Sequence, residues 1–415
     1  MVARARSGLA LAVLAAVALG GLAGGCGVGF KMPTENRQNR TIAGQGTYQR
    51  IATWTGMANI QDILLTPSGE LYLLFQDPVA KRGEVRRYPL SSPQPLTVFP
   101  GLRNPTAMCF GGNRIFVLDQ GDTSAARTDF PCTYWAEYKA DIDTITVPLG
   151  ITSGFTRPIA NLAAYWHVRE YYLDGTQVKN PDGTPMSFTD TSFAWVNGVA
   201  ADASGRVYVA GVIIYCHVDP FEDAKRTLEH QYRIRRYQRG SGDRFVTDGP
   251  WRRDGVIDGI HRVGAYVVTE GTGIGSTRDP RGMQWSDAQG PALYFADLGN
   301  NQVQKYGDPS GSASSFKLFG GAGPDSMLFS QPMDVAVDSA GFVYVVDTQP
   351  QMLPRSRRVL RFDPNGNFVQ RVDWNRGEAL TDSLTRPVAV AADNSQVYIA
   401  DRGAGGRVLR YRRRD

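Results

Sequence analysis

Short apolar runs separated by tight polar turns recur along this chain. "DILLTPSGELYLLFQ", "GVAADASGRVYVAGV", "DVAVDSAGFVYVVDT" and "PVAVAADNSQVYIAD" are versions of one phrase. Each reads as two strands hinged on Ser-Gly, Ala-Gly or Asn-Ser, residues that tolerate the backbone angles of a hairpin turn. Aligning on the Val-Tyr-Val element adds "RIFVLDQG", with a Gly-Asn turn, and "ALYFADLG", for six copies. A third strand follows each pair, with a β-branched residue three places before an aromatic: Tyr88, Tyr171, Tyr237, Tyr306, Phe362 and Tyr411. A cation precedes the aromatic at Arg87, Arg236, Lys305, Arg361 and Arg410, and Glu170 breaks the rule. A fourth strand is visible in places, as "SFKLFG" and "FVQRV".

A four-stranded unit repeated every 40 to 50 residues or so is the pattern of a β-propeller blade. One blade cannot bury both faces of its sheet, so the units must stack around a ring. Six phrases predict an all-β, six-bladed β-propeller. The last copy runs out at its third strand, and "TYQRIATWTG" upstream of the first copy is a spare strand. Residues around 47 to 55 are therefore expected to complete the final blade and close the ring, which removes exposed sheet edges. "QPMDVAVDSAGFVYVVDT" and "ALYFADLGNNQVQKY" resemble NHL repeats, most strongly from Gly282 to Tyr411, although the Asn-His-Leu signature is not spelled. The resemblance implies an NHL-like propeller. Such propellers are mostly binding platforms, with a minority of enzymes.

The N-terminus departs from the strand pattern. Arg4 and Arg6 precede an apolar run from Leu9 to about Ala23, then Gly24-Gly25-Cys26, the layout of a secretory signal over residues 1–25. The cysteine after small residues resembles a bacterial lipoprotein signal, which implies lipidation at Cys26, attachment to a membrane through that lipid, and an extracytoplasmic place in the cell envelope. Leu22 lies one position further from the cysteine than that pattern has it, and the alternative is an ordinary cleaved signal on a secreted protein. Residues 26–40 are polar without a period and read as a flexible tether; the propeller is assigned to 41–415.

The formal charge of +5 includes both signal arginines and falls to +3 without them. That balance, with no basic stripe interleaved with aromatics, argues against nucleic acid as a partner. Cys109, in "TAMCF", reads as a buried thiol. Cys132 and Cys216 lie in irregular segments, and in an oxidising compartment they are expected to form a disulfide.

Extra sequence collects in the loops between second and third strands: Asp122 to about Ala164 in the second copy and Gly211 to about Gln231 in the third. Asp219-Pro220-Phe221-Glu222 carries an N-cap, a first-turn proline and an N3 glutamate, which predicts a short helix over that face. Tyr134, Trp135, Tyr138, Trp166 and Trp195 supply aromatics suited to a protein, peptide or glycan ligand, and Asn197 and Arg281 add polarity at the channel. The starts of the first strands hold Gln61-Asp62, Thr106-Ala107, Asn197-Gly198, Arg281-Gly282, Met333-Asp334 and Val388-Ala389. Asp62 and Asp334, with amide oxygens, suggest a calcium site at the channel mouth, a role that six-bladed calcium-dependent lactonases have; His217 and His230 suggest zinc. A metal-dependent hydrolase or lyase is thus the alternative to a binding scaffold. "GTGIGS" lacks the strand–loop–helix of a dinucleotide site, and no serine-hydrolase elbow or metalloprotease motif is present.

Overall fold

The structure is a computed structural model, and it describes residues 47–77, 79–80, 82–120, 156–158, 166–190, 193, 195–218, 226–240, 245–247, 257–262, 277–307, 316–319, 329–348, 357–373, 384–403 and 405–414. Among these the regular structure is strand, apart from one 3-10 turn at Leu298–Asn300. The strands form six antiparallel sheets, which are the six blades of a β-propeller. Blade 1 runs through Ile60–Leu65, Leu71–Asp77, Arg82–Tyr88 and Thr97–Leu102. Blade 2 follows with Pro105–Gly111, Arg114–Asp119, His167–Tyr171 and Ser187–Phe188, and blade 3 with Trp195–Ala201, Val207–Val218, Arg226–Arg239 and Phe245–Thr247. Blade 4 comprises Pro280–Ser286, Ala292–Asp297, Gln302–Gly307 and Phe316–Phe319, and blade 5 Pro332–Val337, Val343–Asp347, Arg358–Phe362 and Phe368–Arg371. Blade 6 takes Pro387–Ala392, Gln396–Asp401 and Arg407–Arg414, and its outermost strand is Thr47–Thr55. The expected closure is therefore present, in antiparallel register from Thr47 opposite Arg414 to Thr55 opposite Arg407.

Second strands are uninterrupted apolar runs because a neighbouring blade covers each of their faces, so strict alternation has no reason to appear. Leu71 to Leu74, Val343 to Val346 and Val397 to Ala400 are all fully buried. The core is correspondingly divided into six clusters, one at each junction between successive blades. Ile63, Leu73 and Tyr398, for instance, meet where blade 6 joins blade 1, and Val199, Phe116 and Tyr237 meet between blades 2 and 3.

The third-strand cation has a cross-strand reason. Each stands opposite the aromatic of its second strand: Arg87 opposite Tyr72, Arg236 opposite Tyr208, Lys305 opposite Tyr294, Arg361 opposite Tyr344 and Arg410 opposite Tyr398. Lys305 lies 5.4 Å from the Tyr294 ring centre, Arg410 5.7 Å from Tyr398, and Arg361 3.7 Å from Phe342. These are cation–π distances. Blade 2 has Phe116 opposite Glu170. That buried glutamate instead pairs across the blade junction with Arg239 of blade 3, at 2.6 Å.

The third-copy insertion differs from its expected form. Val207–Val218 and Arg226–Arg239 stay paired from Val207 opposite Tyr237 to Val218 opposite Arg226, a long hairpin that carries Gly211–Val218 and Arg226–Gln231 as strand. Thr156–Pro158 and Ile257–Arg262 add to its two sides. The helix expected from Asp219 falls on 219–225, outside the described residues.

Candidate functional site

Every first strand carries a β-bulge near its start. The register skips Gln61, Thr106, Asn197, Gly282, Met333 and Val388. A bulge bends the strand and re-aims the side chains beside it, and here it turns polar residues toward the axis. The result is a cavity of about 430 Å³ lined from all six blades. Asp62, Thr106, Asn197, Arg281 and Asp334 reach it from the first strands, joined by Gln120, Thr348, Arg386 and Arg402 from the loops of the same face.

Many of these side chains bind the next blade. Asp62 Oδ2 accepts the Met108 N–H of blade 2 at 2.7 Å, and its Oδ1 accepts the N–H of Ile63 at 2.7 Å. Asp334 Oδ2 accepts the Val390 N–H of blade 6 at 2.7 Å. Gln284 of blade 4 accepts the Val337 N–H and donates to the Val337 carbonyl of blade 5, at 2.9 and 3.1 Å. Gln120 donates to the Val196 carbonyl of blade 3 at 2.5 Å, and Arg402 to Gln61 Oε1 at 3.1 Å across the blade 6–blade 1 junction. Asp279 receives Asn197 Nδ2 at 2.6 Å and Arg281 at 3.0 Å, tying blade 3 to blade 4.

Burial dominates the electrostatics. It pushes the Asp62 carboxyl up to about 7. It raises Asp334 well above the usual carboxylate range, and the charge of Asp62 adds to the rise. The Cys109 thiol on the cavity wall is raised by burial and then by Asp62. Arg402 is lowered, by burial first and by Arg386 second.

Calcium fits this donor set poorly. A hard cation wants carboxylates with free oxygens, whereas both Asp62 oxygens and Asp334 Oδ2 already accept backbone N–H groups. Among the described residues no group of three His, Cys, Asp or Glu is placed to hold a metal ion.

The remaining expected residues scatter. Trp166, expected to offer its ring to a ligand, is only 2% exposed and packs edge-on against Phe193 at 6.1 Å within the core between blades 2 and 3. Trp195 lies in the first strand of blade 3 opposite Val212. His217 and His230 are on the two strands of the long hairpin, opposite Thr227 and Ile214 respectively, and His230 also stands opposite His261. Cys216 lies opposite Leu228 in the same hairpin. Its expected partner Cys132 falls outside the described residues, as do Tyr134, Trp135, Tyr138 and Cys26. Cys109 is a free, buried thiol.

One recurrent device escaped the sequence reading although "VLD", "FAD", "VVD" and "IAD" all spell it. The aspartate closing the second strand is buried and staples the segment that leads into its own first strand. Asp119 accepts the Asn104 N–H at 2.7 Å, Asp297 the Arg278 N–H at 2.6 Å, Asp347 the Ser330 and Gln331 N–H groups at 3.0 and 2.9 Å, and Asp401 the Thr385 and Arg386 N–H groups at 3.0 and 2.5 Å. Third-strand arginines balance three of them: Arg169 on Asp119, Arg358 on Asp347 and Arg407 on Asp401.

Fold and cavity together define a six-bladed β-propeller with a polar axial pocket on its loop-bearing face. No protein-family model matches the chain, and no curated protein does. Solved structures of similar shape include a protein of unknown function from Bacteroides thetaiotaomicron (13% identical over 88% of this chain and 72% of that one, TM-score 0.48). Others are the PQQ-bound aldose sugar dehydrogenase from Streptomyces coelicolor (13%, 90% and 99%, 0.43) and the calcium-binding protein regucalcin from Agrobacterium tumefaciens (10%, 88% and 95%, 0.41). At these identities and scores the likeness carries no functional argument, since one fold hosts many chemistries.

Proposed function

We propose that this chain is an extracytoplasmic, lipid-anchored propeller of the NHL type that binds a protein, peptide or glycan ligand on its loop-bearing face, centred on the channel mouth. The observation that carries the reading is the axial cavity, about 430 Å³ and lined by polar side chains from every blade. Its carboxyl groups are engaged as inter-blade ties. Such a site offers shape and hydrogen bonds to a ligand on a rigid frame. Tyr134, Trp135 and Tyr138, in the largest loop insertion, are the aromatics this reading assigns to the ligand. The anchor rests on Arg4, Arg6, the apolar run and Cys26; a Cys132–Cys216 bridge would join the two insertions.

Glycan and peptide arrays probed with the purified chain test the ligand reading. A hit is expected, and it is lost when Val388→Trp fills the channel. Blank arrays, or hits indifferent to that substitution, would overturn it. Cys26→Ser should move the protein from the membrane to the soluble fraction; an unchanged distribution removes the anchor. A free-thiol count with and without reductant tests the bridge.

A further inference from the structure

Three arginines line the cavity, and their surroundings differ. Arg281 is neutralised by Asp279 at 3.0 Å. Arg386 and Arg402 have no carboxylate partner among the described residues; Arg402 donates only to the neutral Gln61 amide, at 3.1 Å. The charge of Arg386 bears on the Arg402 guanidinium. Arg386 immediately precedes the first strand of blade 6, and Arg402 immediately follows that blade's second strand, so the Asp401 staple holds both in place. Beside them, Gln61 Nε2 is buried with no hydrogen-bond acceptor. A buried donor without an acceptor is destabilising, and two unbalanced cations on one wall add repulsion.

We propose that Arg386, Arg402 and Gln61 form an oxyanion subsite at the junction of blades 6 and 1, which receives a carboxylate or phosphate group of the ligand. This rests on the reading that the ligand enters the channel mouth. The guanidinium fork suits two-oxygen anions, through paired charge-assisted hydrogen bonds, and an anion between the two arginines turns their repulsion into attraction. The Gln61 N–H supplies a third donor. Arg281, already paired, sits further round the ring on blade 4 and contributes little net charge.

The test is a thermal-shift and calorimetric titration of the full-length chain, purified in mild detergent, with inorganic phosphate, D-glucuronate and neutral D-glucose at constant ionic strength. One or both anions should raise the melting temperature while glucose does not. Glucuronate acting alone identifies a carboxylate source, and phosphate acting alone a phosphate source. Arg386→Gln and Arg402→Gln should each raise Kd at least tenfold, with Arg402→Lys retaining part of the binding. Arg386 is exposed and makes no side-chain hydrogen bond among the described residues, so Arg386→Gln should fold. It should also melt slightly higher than the parent in the absence of anion, because one of two like charges is gone. The proposal is overturned if neither anion shifts melting, if glucose does so equally, or if Arg386→Gln and Arg402→Gln bind as the parent does. An array ligand that survives both arginine substitutions but is lost in Val388→Trp sinks this subsite alone. Survival in Val388→Trp as well sinks the binding reading beneath it.

Discussion

Replacing Asp401 by alanine tests whether the buried aspartates hold the mouth of the ring. Asp401 is fully buried. It accepts N–H groups from Thr385 and Arg386 at 3.0 and 2.5 Å and forms an ion pair with Arg407 at 2.9 Å. Alanine leaves two backbone donors short of an acceptor, each worth about 1–3 kcal/mol, although water can reach the one at exposed Arg386. It also removes the carboxylate from a mostly buried guanidinium, and breaking such pairs costs roughly 3–5 kcal/mol. These losses share one carboxylate and do not add, so about 4 kcal/mol is expected. For a ring spanning Thr47–Arg414, unfolding entropy near 2.1 cal/mol/K per residue gives about 0.8 kcal/mol/K, and Tm should drop by ~5 °C. Asp401→Asn keeps one acceptor oxygen and the shape, and should fall about half as far. Asp393→Ala, which removes a comparable carboxylate from a solvent-facing turn, serves as the control and should cost no more than about 1 kcal/mol. Differential scanning calorimetry at one scan rate reads all three. A drop below ~1 °C for Asp401→Ala, or a drop equal to that of Asp393→Ala, would show that the staple is incidental.

Burial raises the Asp62 carboxyl to about 7 from 3.8, so its stabilising contribution is complete below about pH 4 and lost as pH rises to about 7. Asp62→Asn should therefore gain melting temperature relative to the parent between pH 4 and pH 8; a difference independent of pH would refute the assignment. Gly282 has φ of +44°, and an added Cβ would lie 2.3 Å from Asp334 Cα. Gly282→Ala should accordingly destabilise by more than about 1 kcal/mol, measurable by urea denaturation, and a neutral result would mean that the blade 4–blade 5 junction is loosely packed. Trp166→Ala should cost roughly 3–5 kcal/mol through the cavity it leaves. Trp166→Phe should cost clearly less, because the indole N–H it discards is buried without an acceptor. Equal losses in chemical denaturation would argue that the ring does not fill that space.

The ring was legible in the chain because burial on both faces turns every second strand into a continuous apolar run, and six copies of one run leave little architectural freedom. Residues 47–55 were legible by pairing logic: the last copy lacked an outer strand, and one spare strand was available. Channel-facing positions such as Asp62, Asn197 and Asp334 followed from aligning the first strands. What those side chains do there did not follow. Whether a carboxylate is free for a cation or engaged by a neighbour's N–H depends on a contact between blades, as Asp62 with Met108 shows. Arg402 was invisible for a related reason, since it reaches the channel from a loop whose course depends on Asp401. Trp166 was misplaced because an aromatic next to an insertion suits a ligand and a core equally well; the packing of Phe193 decides between them. In blade 3, Gly211–Val218 and Arg226–Gln231 were read as loop insertion, yet the strand pairing established between Val207 and Tyr237 propagates outward through both.

The pairing of Thr47–Thr55 with Arg407–Arg414 makes the order of synthesis matter. The strand that seals the ring emerges from the ribosome first and waits for a partner made more than 350 residues later. Until then blade 6 does not exist, and Tyr48 lacks the Tyr344 hydroxyl that it meets at 2.9 Å in the finished ring. The fold thus tests its own completeness. A chain cut short before Arg407 leaves an orphaned strand at one end and an open blade at the other, an unsealed edge that a protease or a second chain can engage. A complete chain closes both at once.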